Sequence, residues 1–343
     1  MALPEPEPAF ATDAPRPADA ARTAAKVLWL LLPVGLALLL LAPFQLNLYW
    51  MRVLSMACMY ATLAQAINLI AGFTGYPAFG NVVFFGIGAY SAAIIMVKAG
   101  GSFVLGMVIA VLVPLSTVLL LGPALLRLRG HYFAIATIGL NELVKALVDN
   151  LGPLTGGGMG LSVPLPPWGP VQTTRVFYYL LLATLIASVA VAAWLRFSRL
   201  GYACRAIRDD EVKAEAMGLR TTMIKTIVWA ISAMFTGLVG AIYAYWFSYI
   251  DPSSTFDLLI AIKSFVIFLV GGAATVVGPI VAAFFIEYLS TVLWSQLLDY
   301  HLGIFGLGIM LIALYTPDGV VQFFRERGQV LHSFIRRQDI TAG

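Results

Sequence analysis

Residues 103–126 carry no charged side chain, and apolar runs of similar length recur along most of the sequence. Roughly 20 apolar residues in a helix cross the hydrocarbon of a bilayer. Inside lipid every backbone N–H and C=O must be satisfied by the protein itself, which leaves helices or a closed barrel. A barrel strand would show short alternation of polar and apolar residues, whereas these runs are continuous. The chain is 60% hydrophobic and only 11% charged, against about 25% charged in a soluble domain. It has too few polar side chains to cover a surface in water. The expected fold class is all-α: a polytopic integral membrane protein of about 10 transmembrane helices with glycine-rich helix breaks.

The runs place spans at 27–44, 53–71, 82–97, 103–126, 131–150, 176–195, 226–249, 256–270, 280–298 and 303–323. Residues 1–26, rich in Ala and Pro, cannot build a core and read as a disordered tail. Residues 27–323 then form the membrane domain, and 324–343 a short basic tail. Arg16, Arg22 and Lys26 precede the first run, but no small-x-small cleavage site follows it, so an uncleaved span is expected rather than a signal peptide. Cys58 and Cys204 have neither disulfide nor metal spacing, and His131, His301 and His332 are scattered.

Alternating spans make the charge distribution a test of orientation. With the N-terminus in the cytoplasm, sixteen of the 21 Lys and Arg residues fall on the inner side; Arg52, Lys98 and Arg175 fall outside, and Lys145 and Lys263 lie within spans. This bias obeys the positive-inside rule and places both termini and the charged stretch 199–225 in the cytoplasm. The distribution suits an anionic leaflet, and nothing in it points to nucleic acid.

The stretch 199–225, RLGYACRAIRDDEVKAEAMGLRTTMIK, is an island of charge in an apolar chain. Arg205 with Asp209, and Asp209 with Lys213, stand at i, i+4, and Arg208 with Glu211 at i, i+3, as in a short exposed helix. Gly218 follows as a plausible helix end. The small residues Ala206, Ala214 and Ala216 would let a soluble partner approach closely. Two glycine-rich breaks, GFTGYPAFGN at 72–81 and GGAATVVGP at 271–279, interrupt the apolar runs in the two halves. Broken helices of this kind point to a transport path; tight hairpins that only pack helices have the same composition. In and after the first break, the polar candidates for a path are Thr74, Tyr76, Asn81 and Tyr90. Two charges sit deep in spans, Lys263 and Glu287, each twelve residues from Thr275. A lone charge at such a depth costs about 2.5–3.5 kcal/mol, so the two are expected to pair. Glu142 and Lys145 could pair locally. TGGGMG at 155–160 lacks the Lys-Ser/Thr ending of a phosphate loop, and no nucleophile–base constellation can be assembled, so neither an ATP site nor enzymatic chemistry is expected.

The string RAIRDDEVKAEAMGL resembles the cytoplasmic coupling loop of branched-chain amino acid ABC transporter permeases of the LivM type. Ala214, Glu215, Ala216 and Gly218 resemble a degenerate form of the loop shared by many ABC importer permeases. GFTGYPAFGNVVFFGIGAY (72–90), LRGHYFAIATIGLNELVKAL with TGGGMGL (between 128 and 161), and GGAATVVGP with YTPDG (315–319) agree in the same order. The resemblance covers residues 50 to 320. Related permeases often carry Gln, Ser and His where this chain has Tyr76, Ala78 and Asn81, and members of the family import urea, short amides or other amino acids, aromatic ones included.

The resemblance implies a permease subunit without its own ATPase site, in a bacterial inner membrane. It would pair with a second, LivH-like permease, two cytoplasmic ABC ATPases that use ATP, and a periplasmic substrate-binding protein. The coupling loop, 196–225, would bring Arg205, Arg208, Asp209, Asp210, Glu211, Glu215 and Gly218 to the ATPase. No cofactor is expected on this chain. Branched-chain or related amino acids are the expected cargo. The competing class is a secondary transporter driven by an ion gradient, for which Lys263, Glu287 and Glu142 are the only material.

Overall fold

The computed structural model describes Gly35 and residues 37–296; the expected tails and the span at 303–323 lie outside the described residues, as does most of the span at 27–44. Residues before Leu48 form a unit of their own, helical over 37–45. Among its described residues the other unit has ten principal helices: α1 (Leu48–Ile67), α2 (Val82–Lys98), α3 (Phe103–Leu125), α4 (His131–Asn150), α5 (Pro170–Phe197), α6 (Arg199–Asp209), α7 (Glu211–Ala216), α8 (Thr221–Phe247), α9 (Leu258–Gly271) and α10 (Gly278–Gln296). A two-stranded ribbon pairs β1 (Leu161–Ser162) antiparallel with β2 (Tyr249–Ile250), Leu161 opposite Ile250.

Among the described residues, six helical segments are long and apolar enough to cross a membrane, those at 48–72, 79–98, 103–125, 170–197, 221–247 and 252–271. They correspond to the second, third, fourth, sixth, seventh and eighth expected spans. The ninth is an apolar helix that runs to the limit of the described residues. The fifth, α4, is a helix of 20 residues whose Asn141, Glu142, Lys145 and Asp149 dilute its apolar character. It still runs the length of the bundle, from Arg129 beside the island to the loop that carries β1. The all-α polytopic reading therefore holds, with six spans defined by length and composition.

The local signals explain where the helices begin. Ser102 caps α3, its hydroxyl accepting from the Leu105 N–H at 3.3 Å. Asp257 caps α9 through the Leu259 N–H at 2.9 Å. α8 is the centre of the packing, with α2, α3, α1 and α5 around it. A Cβ on Gly88 would lie 2.1 Å from the Gly237 carbonyl, and one on Gly240 2.1 Å from the Phe85 carbonyl. Only glycine lets α2 and α8 touch backbone to backbone, the usual route to tight packing where lipid gives no hydrophobic drive. Trp229 of α8 sits edge-on to both Phe84 and Phe133 at the heart of this core. α3 is the least covered span; Val104, Leu112, Leu119 and Leu120 point outward, as a lipid-facing surface requires.

The chain's two ends of the bundle are chemically distinct. At one end lie the island and both glycine-rich breaks. At the other lie the TGGGMG loop and the β1–β2 ribbon, where the Tyr249 hydroxyl donates to the Met159 carbonyl at 2.9 Å. Cys58 and Cys204 are both free and buried, in α1 and α6.

Candidate functional site

The island is two helices set at an angle by a single residue. Ser198, in an extended conformation, ends α5 and caps α6, its hydroxyl accepting from Gly201 N–H at 3.1 Å. Asp210 (φ −162°) breaks the helix again and caps α7 by accepting from Lys213 N–H at 3.1 Å. This break corrects the side-chain pairing expected from spacing. Asp209 and Lys213 are not on one helix; the Lys213 ammonium instead lies 3.0 Å from Asp210. Nor do Arg205–Asp209 and Arg208–Glu211 pair among the described residues. Arg205 stacks on Tyr202 and donates to the Arg196 carbonyl. Arg208 turns toward the membrane domain and donates to the Gly72 carbonyl at 2.8 Å. Asp209 stays exposed at the end of α6. Glu142 contacts Asn141 rather than Lys145.

Glu211 joins a buried hub. The Lys225 ammonium, fully buried in the first turns of α8, donates to Glu211 at 2.6 Å, to the Tyr76 hydroxyl at 2.8 Å and to the Leu126 carbonyl at 3.1 Å. The Tyr76 hydroxyl in turn donates to Glu211. Lys225 also lies 4.0 Å over the Tyr76 ring, and Phe133 packs edge-on against that ring. Arg129 closes the hub from the loop before α4, 4.0 Å from Glu211 and 3.6 Å from Glu215. Glu215 accepts from the Thr221 hydroxyl at 2.7 Å. An ammonium has three protons to donate, and Lys225 places all three.

The hub fixes the charge of its members. Burial works against ionisation of Glu211, but hydrogen bonds from Lys225 and Tyr76, with the charges of Lys225 and Arg129, outweigh it and hold the carboxyl below its ordinary value. Burial first, then the hydrogen bond to Glu211 and its charge, push the Tyr76 phenol up. Glu211 is thus an anion and Tyr76 a neutral donor at physiological pH.

The hub joins the island to the first break. There α1 loosens into a wider π-helical turn at Asn68–Gly72, passes through an irregular stretch and re-forms as a 3₁₀ turn at Phe79–Asn81. A Cβ on Gly80 would fall 1.8 Å from the Thr137 carbonyl, so the break lies directly on α4. Asn68 reaches across to the second break: its amide donates to the Thr275 carbonyl at 2.7 Å and its oxygen accepts from Ala274 N–H at 2.8 Å. The island, the first break and the second break are therefore one bonded assembly.

The other path candidates are placed as follows. Thr74 donates to the Ile70 carbonyl at 2.7 Å. Asn81 is buried against α8, donating to Ser232 and Thr236 and accepting from the Trp229 indole at 3.2 Å. Tyr90 stacks on Phe256 toward the opposite end. Lys263 and Glu287 come together, Nζ to Oε2 2.5 Å. Past α7, Gly218 (φ 86°) turns the chain; Met217 beside it is 85% exposed.

Sequence reasoning missed three parts of this assembly. Lys225 reads as one more basic residue of the island, although it stands directly at the start of an apolar run. Asn68 is an isolated amide in the last turns of a span, directly before a glycine break. Arg129 reads only as a positive-inside marker.

A bundle of apolar helices, with one charged loop bonded to the first broken segment and that segment bonded through Asn68 to the second, defines a polytopic membrane protein of the permease class. The chain belongs to the family of branched-chain amino acid transport system permease components, whose model matches residues 49–314. It is 29% identical over 321 residues to the high-affinity branched-chain amino acid transport system permease protein LivM of Salmonella typhimurium, covering 84% of this chain and 75% of that protein. Similarity to LivM of Escherichia coli is the same, 29% over 320 residues. It is also 22% identical over 141 residues to the permease protein LivH of Salmonella typhimurium, covering 41% of this chain and 45% of that protein. No solved structure matches the chain.

Proposed function

We propose that this chain is the LivM-type subunit of an ATP-driven importer, moving branched-chain or related amino acids into the cytoplasm by alternating access. The observation that carries the reading is the bonded assembly at the island end. Arg208 holds Gly72, Glu211 holds Tyr76, and Asn68 carries the connection to the second break, while Met217 and Val212 at the tip of the island stay open. A displacement imposed on that tip would pass into the backbone of both breaks.

In this reading the island faces the cytoplasm, as the positive-inside bias requires, and α7 with Gly218 meets an ABC ATPase. A groove of about 600 Å³ opens beside α7, between the end of α3 and the start of α8, and offers a seat for a side chain of that ATPase. A second, LivH-like permease completes the path, and a periplasmic binding protein delivers cargo. ATP is consumed by the partner subunits, so this chain performs no covalent chemistry. The amino acid cargo is supported by the names of the relatives; urea, short amides or aromatic amino acids are the runner-up, because Tyr76, Ala78 and Asn81 depart from the common pattern.

Three substitutions test the docking surface. Gly218→Pro demands φ near −65° where the chain holds 86°. Glu215→Arg puts like charge against Arg129. Met217→Glu changes a side chain that projects freely. Each should abolish uptake while the protein still inserts and purifies. Normal uptake by well-expressed Met217→Glu and Gly218→Pro would sink the proposed docking surface.

A further inference from the structure

Among the described residues, two lysine–glutamate pairs lie inside this protein, and they are built in opposite ways. Lys225 spends all three protons on Glu211, Tyr76 and the Leu126 carbonyl. Lys263 has Glu287 at 2.5 Å and the face of the Tyr60 ring at 4.2 Å. Among the described residues, no hydroxyl, amide or carbonyl makes a hydrogen bond to the Lys263 ammonium or to the Glu287 carboxylate. A carboxylate offers about four acceptor positions and an ammonium three donors. Most of that capacity is unused.

The position makes this costly. Lys263 lies eight residues before Gly271 and Glu287 nine after Gly278, on the two arms that meet at the second break. At 1.5 Å per residue the charges stand about 12–14 Å from the break, close to the middle of a hydrocarbon layer about 30 Å thick. A buried pair without further hydrogen bonds is a poor stabiliser, and ionisable groups at this depth mark substrate routes more often than structural ones. The pair is not sealed: the Lys263 and Glu287 side chains are 16% and 11% exposed. Leu259, one turn before Lys263 on α9, has an open apolar side chain, and so does Ile262, one turn on from Leu259.

We propose that the Lys263–Glu287 pair is a recognition element for zwitterionic amino acids, resting on the amino acid importer reading above. The α-carboxylate of the cargo bonds Lys263 and its α-ammonium bonds Glu287. One ion pair is exchanged for two, net charge at mid-membrane stays zero, and the vacant donor and acceptor positions are filled. The Leu259–Ile262 shelf takes an aliphatic side chain. In the absence of cargo the two residues neutralise each other, which keeps either charge from standing alone in the membrane.

The test is uptake of radiolabelled leucine by the full complex in proteoliposomes, with the charge-swapped Lys263→Glu/Glu287→Lys protein beside the two single Gln variants. The swap keeps an ion pair but reverses the order in which the cargo meets its partners. The proposal predicts parental thermal stability and basal ATP hydrolysis for the swap, with uptake reduced more than tenfold, as in both singles. Uptake restored to the parental rate by the swap would overturn it and make the pair a structural tie. If the swapped protein fails to reach the membrane, Lys263→Met/Glu287→Leu replaces it: this variant should be stable and unable to import, and parental uptake would overturn the proposal in the same way. A parental complex that imports urea or amides but no amino acid removes the underlying reading as well, and that outcome is visible before any variant is made.

Discussion

At the residue scale, Lys225 decides the most. Its charge is tolerable at full burial only because every proton has an acceptor. Lys225→Met leaves the Glu211 carboxylate part-buried with only the more distant Arg129, at 4.0 Å, as counter-charge, and breaking a fully buried pair from one side, the upper bound here, costs about 3–5 kcal/mol. The variant should show a clearly lowered thermal midpoint in detergent, whereas Lys213→Met, at the exposed Asp210 pair, should leave it unchanged. Glu211 supplies the pH dependence. Its folded value is held below the ordinary 4.5, so its contribution to stability is fully present above 4.5 and is lost as pH falls through the lower folded value. The midpoint should therefore fall on acidification below about pH 4.5, and Glu211→Gln should flatten that fall. A fall of equal size in Glu211→Gln would assign it to other carboxylates. The residue types at this site were legible in the sequence, but their partners were not. Tyr76 lies 135 positions from Glu211, and only the packing of four helices brings them together.

At the element scale, the island differs from the single helix that its charge spacing suggests. The i, i+4 ladder needs one helix running through Asp209 to Lys213, but the next residue, Asp210, caps a new helix instead, and the cap wins because it satisfies an orphan amide of α7. Spacing alone cannot separate those two uses of aspartate. The breaks were legible as breaks, since glycine and proline punctuate apolar runs in few other ways. That both lie at the island end follows from the alternation of spans, but their joining by Asn68 depends on pairing across 206 positions and could not be read from composition. α4 was harder still. Its polar residues lower its apolarity below that of its neighbours, and its course along the bundle is fixed by Gly80 and Phe256, where Asn141 donates to the Phe256 carbonyl at 3.0 Å.

At the scale of the whole molecule, the spans and charge bias set an orientation that the bundle's two chemically distinct ends can test. Cys58 and Cys204 are buried, so new cysteines at Met217 and Met159, both highly exposed, report on opposite ends. Cys at 159 should react with a membrane-impermeant maleimide in whole spheroplasts, and Cys at 217 only after permeabilisation; the reverse pattern would invert the molecule. The account as a whole rests on the island driving the breaks, and Tyr76→Phe addresses that link with the least disturbance. It deletes one hydroxyl, the bond to Glu211 and the one from Lys225, and keeps the ring against Phe133. ATP hydrolysis and leucine uptake measured on the same proteoliposomes should show hydrolysis near the parental rate with uptake per ATP reduced several-fold. An unchanged ratio, or uptake that proceeds without the ATPases and collapses with the proton gradient, would contradict the account.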